Sequence, residues 1–327
     1  MRAAIVGLAG PTLLPEERAL FALRPPAGVI LFGRNIGGAG PLVRLVAELR
    51  SVLPQGSVLM VDQEGGRVAR LRPPEWRAHP AAGVMGARYV ASPAAGARLA
   101  WVTGALIGLD CERAGFDVVC APVLDVGTAG MTDAIGDRSF GTDPAAVAVL
   151  GQAMADGLLA AGMQPVGKHA PGHGRATVDS HAGLPRVAGR PEVEVFAVCR
   201  ALPWLMTAHI VYEAYDVERA GTLSECVVGD VIRGEIGFEG LLVSDDLAMG
   251  ALQGPAGERA AAALAAGCDL ALHCSGDLDD TAAVLELAGD VTGPGQRRMR
   301  AARALAEARR VPLDPAALAD EQARLLG

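Results

Sequence analysis

The chain has 327 residues, of which 51% are hydrophobic and 20% charged, and its formal net charge is −8. This composition is typical of a compact globular protein and excludes a disordered or fibrous one. The 29 Lys and Arg residues are scattered through an acidic chain, which argues against binding to nucleic acid or an anionic membrane. Because α/β barrels of this length fold as one unit, we expect a single domain over residues 1–327.

The N-terminal segment MRAAIVGLAG has too short an apolar run to be a signal peptide, and no apolar stretch reaches the length of about 18 residues expected of a membrane span. We therefore expect a cytoplasmic protein. The six cysteines contain no C-x-x-C pair, which argues against a zinc ribbon or a thioredoxin-like site. In a reducing compartment they are expected to be thiols, most of them small core residues.

Short apolar runs that predict buried parallel strands recur eight times along the chain. They cover residues 3–6, 29–32, 58–62, 118–122, 165–169, 205–209, 241–245 and 270–273. Between them lie Ala- and Leu-rich stretches with helix-start signals, such as Ser92 before Pro93 and Asp143 before Pro144. The segment between the third and fourth runs is longer than the others, and we expect additional helix and loop there.

Strands and helices in alternation predict a parallel sheet, and eight strands fit a closed barrel better than an open sheet. We therefore predict an α/β fold, a single-domain (β/α)8 TIM barrel. Several of the runs end in a polar residue, namely Asp62, His169, His209 and Asp245. Because the C-terminal strand ends form the active-site face of such a barrel, these side chains are expected to converge there.

Residues 168–181, KHAPGHGRATVDSH, place three histidines, a lysine and an aspartate on a loop with several Gly and Pro residues. This density of reactive side chains indicates chemistry on a loop held by a rigid scaffold. The loop does not fit a phosphate-binding P-loop, because a histidine follows the Gly-Lys pair where Ser or Thr is needed. A structural role, in which the histidines satisfy backbone groups, is one alternative. A metal site is another, with His169, His173, Asp179 and His181 as the candidate ligands.

Three further segments carry polar side chains at or after a predicted strand. They are DQEGGRVARL (62–71) with Asp62, Glu64, Arg67 and Arg70, GDRSFG (136–141) with Arg138, and SDDLAMG (244–250) with Asp245 and Asp246. The Gly-Gly turn of the first segment lets the backbone approach a ligand closely. Each segment alone is a weak signal, since polar residues after strands are common.

Together with the histidine loop, these segments resemble the family 3 glycoside hydrolases, and within them the bacterial β-N-acetylglucosaminidases of cell-wall recycling. The ordered agreement also includes GVILFGRN, APVLDV, DSHAGLP, MTAHI and GTLSE. The resemblance implies a single-domain (β/α)8 barrel that releases terminal β-linked N-acetylglucosamine with retention of configuration and needs no metal or organic cofactor. Larger relatives carry a second α/β domain, for which 327 residues leave no room.

The resemblance also implies roles for individual residues. Asp245 corresponds to the nucleophile and His181 to the general acid/base, with Asp179 as its partner. The positions that bind the sugar are matched by Asp62, Arg70, Arg138, Lys168 and His169, and His209 is expected to line the same face. An imidazole suits the acid/base role because it titrates near neutral pH, and a neighbouring aspartate can fix its tautomer. Ala170 stands where the family often has an aromatic residue, which changes the packing under the loop.

The activity implied by the resemblance is release of N-acetylglucosamine from peptidoglycan fragments, chiefly those that end in anhydro-N-acetylmuramic acid with or without peptide. The expected partner is thus a small sugar substrate, and the loop is expected to be mobile without ligand and to close over bound sugar. Phosphorolysis is one alternative, because a neutral histidine repels phosphate less than a carboxylate does. A non-catalytic sugar-binding barrel is another.

Overall fold

Eight parallel strands close into a barrel in the computed structural model, which describes residues 1–180 and 183–327. The strands are β1 (Arg2–Gly7), β2 (Pro26–Leu31), β3 (Val58–Val61), β4 (Val118–Val119), β5 (Gln164–Ala170), β6 (Trp204–Thr207), β7 (Leu241–Asp246) and β8 (Leu270–His273). Parallel pairing of β1 with β8 closes the barrel. The predicted (β/α)8 TIM barrel and all eight predicted strands are confirmed.

Three of the strands are shorter than the apolar runs that predicted them, and β3 differs by only one residue, because it ends at Val61. β4 ends at Val119, before Pro122, which has no N–H group to offer to a neighbouring strand. β6 ends at Thr207, so that His209 lies beyond the strand. The positions of strand ends were therefore predicted less well than the strands themselves.

Helices pack around the barrel. They are α1 (Pro15–Leu23), α2 (Ala39–Val52), α3 (Ala82–Ala91), α4 (Pro93–Ala114), α5 (Pro144–Ala160), α6 (Val193–Val198), a π-helical segment (Val227–Glu235), α7 (Ala256–Ala265), α8 (Leu278–Leu287), α9 (Gly293–Arg309) and α10 (Pro315–Leu326). The predicted cap of α5 is present, because the Asp143 side chain accepts a hydrogen bond from the Ala145 N–H. At α4 the predicted start is correct, but the Ser92 side chain makes no capping bond. None of the helices in the described ranges is long and apolar enough to cross a bilayer.

The connection from β3 to β4 contains the additional structure that its length predicted. A short antiparallel pair, Gln63–Gly65 with Val68–Ala69, follows β3 directly, and α3 and α4 come after it. A second short pair, Arg186–Val187 with Val211–Tyr212, runs parallel beside the histidine loop. Both pairs lie near the C-terminal ends of the barrel strands, where they position loops over the barrel mouth.

The core has two layers, because alternate side chains of each strand point to opposite faces. In β1, Ile5 belongs to the cluster inside the barrel, whereas Ala4 and Val6 belong to the cluster between the strands and the helices. Inside the barrel, the Trp204 Nε1–H donates to the Gln164 Oε1 atom at 2.9 Å. All six cysteines are free thiols, as expected, and five of them are buried. The packed barrel therefore gives the strand ends fixed positions.

Candidate active site

A cavity of about 260 Å³ opens at the C-terminal ends of the barrel strands. Its lining includes seven of the predicted site residues, namely Asp62, Arg70, Arg138, Lys168, His169, Asp179 and Asp245. The hydrophobic side chains of Ile30, Met206 and Leu272 also line it. Convergent polar groups beside an apolar surface are typical of small-molecule sites.

Five charged side chains of alternating sign form one wall of the cavity, and we call them the charge network. Lys168 Nζ lies 3.0 Å from Asp62 Oδ1 and 2.7 Å from Glu64 Oε1. Arg70 donates to Asp62 Oδ2 at 3.0 Å. Arg138 donates two parallel hydrogen bonds of 2.8 Å to the Glu64 carboxylate. Because each group has a charged partner, the wall is held in one geometry.

The charge network stays ionised at neutral pH. Burial alone acts to raise the pKa of Asp62 and of Glu64, but the neighbouring cations outweigh it, so that the pKa of Asp62 lies well below its usual range and that of Glu64 falls to about 2. Burial also acts to lower the pKa of Lys168, but the two carboxylates outweigh it and raise that pKa. These groups are therefore suited to bind hydroxyl groups and not to exchange protons during a reaction.

Two adjacent carboxylates end β7, and the structure distinguishes them. Asp246 Oδ1 accepts hydrogen bonds from the backbone N–H groups of Ala248 and Cys274, each at 2.9 Å. Asp245 Oδ1 accepts one from the Asp246 N–H at 2.8 Å, while Asp245 Oδ2 has no protein donor among the residues that the structure describes. Asp246 thus organises the turn after β7, and Asp245 keeps an oxygen for a ligand.

Asp245 is also held in its charged form. Burial acts to raise its pKa, but electrostatic interactions with His169 and His209, the Asp246 N–H and the Lys168 ammonium together lower the pKa below its ordinary value. An ionised carboxylate with an uncommitted oxygen at a cavity surface can act as a nucleophile.

Sequence reasoning missed Asp125, which is completely buried beyond the end of β4. Its Oδ2 atom lies 2.7 Å from His169 Nδ1 and therefore fixes the orientation of the ring, leaving Nε2 for the cavity. Burial acts to raise the pKa of Asp125, but the two histidines nearby lower it to about 2. The only signal in the sequence was an aspartate at the end of the apolar motif APVLDV.

The histidine loop folds over the barrel mouth as far as it is described. Thr128 Oγ1 donates to the Gly174 carbonyl at 2.6 Å, and a Cβ atom at Gly174 would lie only 1.7 Å from the Val126 carbonyl oxygen. Further along, the Ala251 N–H donates to the Ser180 carbonyl at 3.1 Å, and Asp179 reaches the cavity that Asp245 lines. The predicted acid/base, His181, lies outside the described residues.

His209 was predicted to contact the sugar, but it is buried and is not among the residues that line the cavity. Its Nε2 atom bonds to the Asp246 carbonyl at 2.9 Å, and its Nδ1 atom pairs with Thr222 Oγ1 at 2.8 Å. This geometry gives His209 a positioning role behind the end of β7.

The metal alternative concerned His169, His173, Asp179 and His181. Over residues 1–180 and 183–327, no group of three or more His, Cys, Asp or Glu side chains has the arrangement of a metal site. His169 Nδ1 is bonded to Asp125, and His173 Nε2 lies 3.3 Å from Ser180 Oγ.

Comparison with known proteins adds to this geometry. Residues 15–307 match the model of the glycosyl hydrolase family 3 N-terminal domain. A β-hexosaminidase of Alkalilimnicola ehrlichii is 41% identical over 281 residues, which cover 83% of this chain and 80% of that protein. A β-hexosaminidase of Thioalkalivibrio sulfidiphilus is 38% identical over 300 residues, which cover 89% and 85%.

Solved structures give the same result at the level of the fold. NagZ from Neisseria gonorrhoeae, crystallised in complex with N-trifluoroacetyl-D-glucosamine, has a TM-score of 0.86 and 29% identity, with 100% of this chain and 97% of that chain covered. The β-N-acetylhexosaminidase of Beutenbergia cavernae has a TM-score of 0.74 and 28% identity, with 99% and 95% covered. In both cases the likeness extends over nearly the whole chain.

Proposed function

The chain belongs to glycosyl hydrolase family 3 and is a glycoside hydrolase of the β-hexosaminidase type, and on this premise we propose that it releases terminal, non-reducing β-linked N-acetylglucosamine with retention of configuration. In this proposal its substrates are peptidoglycan fragments in which N-acetylglucosamine is linked to anhydro-N-acetylmuramic acid, with or without peptide. Residues 1–327 form one catalytic unit that acts in the cytoplasm and needs no metal or organic cofactor. The N-acylated glucosamine bound to the gonococcal relative supports this choice of sugar.

The observation that carries the proposal is the position of two aspartates that are distant in sequence. Asp179 from the histidine loop and Asp245 from the end of β7 line the same cavity. A retaining glycosidase needs a nucleophile on one side of the anomeric carbon and a proton donor at the departing oxygen. This arrangement supports Asp245 as the nucleophile and the histidine loop as the element that carries the proton donor.

The proposed reaction has two steps. In the first, Asp245 Oδ2 attacks the anomeric carbon while His181 protonates the departing oxygen, and the C–O bond to the leaving group breaks as the glycosyl ester forms. In the second, the same histidine takes a proton from water, which attacks the anomeric carbon and releases Asp245. Asp179 orients the imidazole and stabilises its charged form. Two inversions at one carbon give net retention.

The wall of the cavity suits an uncharged sugar. Sugar hydroxyls both donate and accept hydrogen bonds, and the charge network offers ammonium, guanidinium and carboxylate groups in fixed places. His169 Nε2 adds a ring nitrogen whose orientation is set by Asp125. The apolar side chains that also line the cavity fit the C–H face of the ring.

The experiment that tests the proposal compares the wild type with Asp245→Ala on an aryl β-N-acetylglucosaminide. We expect turnover to fall at least about 10⁴-fold, as for other nucleophile deletions, and added azide to restore release of the aryl group with formation of the α-glycosyl azide. Asp279→Asn, at an exposed position on α8, is the matched control and should keep wild-type activity. More than a tenth of wild-type turnover in Asp245→Ala would contradict the proposal.

Product analysis tests the remaining parts. With a purified anhydro-muropeptide, NMR is expected to show β-N-acetylglucosamine as the first product, and His181→Ala should retain activity only on substrates with good leaving groups, which need less protonation. The same reaction in phosphate buffer separates hydrolysis from phosphorolysis, because the latter yields the sugar 1-phosphate. A first product of α configuration would contradict retention.

A further inference from the structure

Residues 168–181 contain three histidines, and the proposed reaction uses only His169 and His181. His173 is the remaining one, and it is buried, with 2% of its surface exposed. Its Nε2 atom lies 3.3 Å from Ser180 Oγ, and its Nδ1 atom has no partner among the described residues. The ring also meets the His169 ring edge to face, with a centroid separation of 5.7 Å. His173 therefore lies between the sugar-binding histidine and the end of the loop.

Asp125 holds the start of the loop. Its Oδ1 atom accepts hydrogen bonds from the backbone N–H groups of His169 and His173, at 3.2 and 2.7 Å, and its Oδ2 atom is bonded to the His169 ring. The turn between the two histidines is closed by a hydrogen bond of 2.8 Å from the Gly172 N–H to the His169 carbonyl. One buried carboxylate thus fixes the sugar-binding ring and the backbone of His173 together.

Ser180 holds the other end of the described loop. Its side chain pairs with His173, and its carbonyl accepts a hydrogen bond from the Ala251 N–H in the segment after β7. Only 3% of its surface is exposed. The middle of the loop differs, since Thr177 and Val178 are exposed and the Thr177 hydroxyl has no hydrogen-bond partner among the residues that the structure describes. Ser180, directly before His181 in sequence, therefore contacts both His173 and the segment after β7.

We propose that Asp125, His173 and Ser180 form a chain of positioning residues, the loop anchor, that holds the histidine loop so that His181 delivers its proton to the departing oxygen. The inference rests on the proposed function, because it assigns the loop the role of proton donor. The loop anchor also links sugar binding to the proton donor, since Asp125 both orients His169 and holds the backbone of His173.

The chemistry of His173 suits this role. Burial lowers its pKa, although the charge of Asp125 opposes the shift. The ring is therefore neutral at physiological pH and binds the serine hydroxyl without adding a positive charge to this part of the site.

The test compares two variants, each of which loses one hydroxyl group from a different position on the same loop. Ser180→Ala breaks the anchor, and Thr177→Ala is the matched control. Each variant is assayed on a 2,4-dinitrophenyl β-N-acetylglucosaminide, whose leaving group needs no protonation, and on a disaccharide substrate, whose leaving group does. We expect Ser180→Ala to lower kcat on the disaccharide about tenfold with KM nearly unchanged, because small displacements of a catalytic group are costly. On the activated substrate kcat/KM, which reports only formation of the glycosyl-enzyme, should change less than twofold, because that step needs no protonation. Thr177→Ala should match the wild type on both substrates.

His173→Phe and His173→Gln provide a second measurement. The first keeps a planar aromatic ring, which is larger than the imidazole, but loses the bond to Ser180, and should show the same dependence on the leaving group. The second offers an amide that can bind the hydroxyl, and should restore part of the loss. Thermal unfolding of each variant shows whether it is folded. If His173→Phe does not fold, His173→Gln alone carries this second measurement.

Two results would overturn the loop anchor. One is Ser180→Ala kinetics equal to those of Thr177→Ala on both substrates, and the other is an equal loss of kcat/KM on both substrates. Failure of the proposed function gives a different pattern, namely a wild type that cleaves neither substrate or an Asp245→Ala variant that stays active.

Discussion

Replacing Glu64 with Gln removes one negative charge from the charge network and keeps the size of the side chain. Glu64 accepts two hydrogen bonds from Arg138 and lies 2.7 Å from Lys168 Nζ. Gln resembles the protonated form of Glu, so the substitution measures how much the ionised carboxylate stabilises the fold. Both cations would lose a buried counter-charge.

The size of the effect follows from the pKa of Glu64. Burial acts to raise that pKa, but Arg138 and Lys168 outweigh it and lower it from 4.5 to about 2. At about 1.4 kcal/mol per pKa unit, the ionised form contributes about 3 kcal/mol at pH 7. Removing one partner of a buried ion pair typically costs about 3 to 5 kcal/mol, which agrees with the value derived from the pKa. With an unfolding entropy of about 2.1 cal/mol/K per residue, a chain of 327 residues should lose about 4 °C in Tm.

The sign of the pH dependence provides a sharper check. Because the folded pKa of Glu64 is depressed, its contribution is fully present above the unfolded pKa of 4.5 and is lost as the pH falls through about 2. Urea unfolding at pH 7 should therefore show a difference of about 3 kcal/mol between wild type and Glu64→Gln, and less than half of that at pH 3. Glu48→Gln is the matched control, since Glu48 is exposed on α2 and should change stability by less than about 0.5 kcal/mol. A Tm change below 1 °C, or a difference that does not shrink at pH 3, would refute the reasoning.

Three further outcomes are expected. Gly174→Ala should lower Tm by about 3 °C or more and impair activity, because the new methyl group would overlap the Val126 carbonyl; an unchanged Tm in a calorimetric scan would contradict the close packing. The acid limb of a kcat/KM pH profile that reports Asp245 should lie below pH 4, because the lowered pKa keeps that carboxylate ionised as the pH falls; a limb at pH 5 or above would argue against the assignment. In the native protein a thiol reagent should label Cys226 alone and, after unfolding in urea, all six cysteines, since the other five are buried; rapid native labelling of a second thiol would show that a core position is accessible.

The barrel and much of the site followed from the sequence because the relevant signals are local. Apolar runs of strand length recur between helix-start signals, and the carboxyl ends of parallel strands meet at one face. Asp62, His169 and Asp245 were therefore expected to converge, and they line one cavity. The geometry is set by the closed sheet, which needs no detailed knowledge of side-chain contacts.

Asp125 and Glu64 could not be assigned in this way, because their roles depend on partners far along the chain. Asp125 pairs with His169, 44 residues later, and Glu64 with Arg138, 74 residues later. A buried carboxylate requires a donor or a cation nearby, but the sequence does not identify which one. Only the tertiary packing selects these partners.

For His209 the strand itself was predicted correctly, but the position of the side chain near its end was not. The apolar run continued to His209, but β6 ends at Thr207. Beyond the strand, the Thr222 N–H and hydroxyl both bond to the Ala208 carbonyl, and the turn directs the His209 ring to the Asp246 carbonyl. The predicted strand and the observed strand end only two residues apart. Beyond the true end, the alternation of a strand no longer tells which way a side chain points.

The charge network also has a consequence for the lifetime of a covalent intermediate. Its three cations, Arg70, Arg138 and Lys168, exceed its two anions by one, and the surplus positive charge shares the cavity with the Asp245 carboxylate. If Asp245 becomes an ester in the proposed reaction, the cavity loses one of the negative charges beside this surplus, which favours departure of the carboxylate. A field that keeps a nucleophile ionised thus also makes it a good leaving group, so with ordinary substrates the glycosyl-enzyme should decay faster than it forms and should not accumulate.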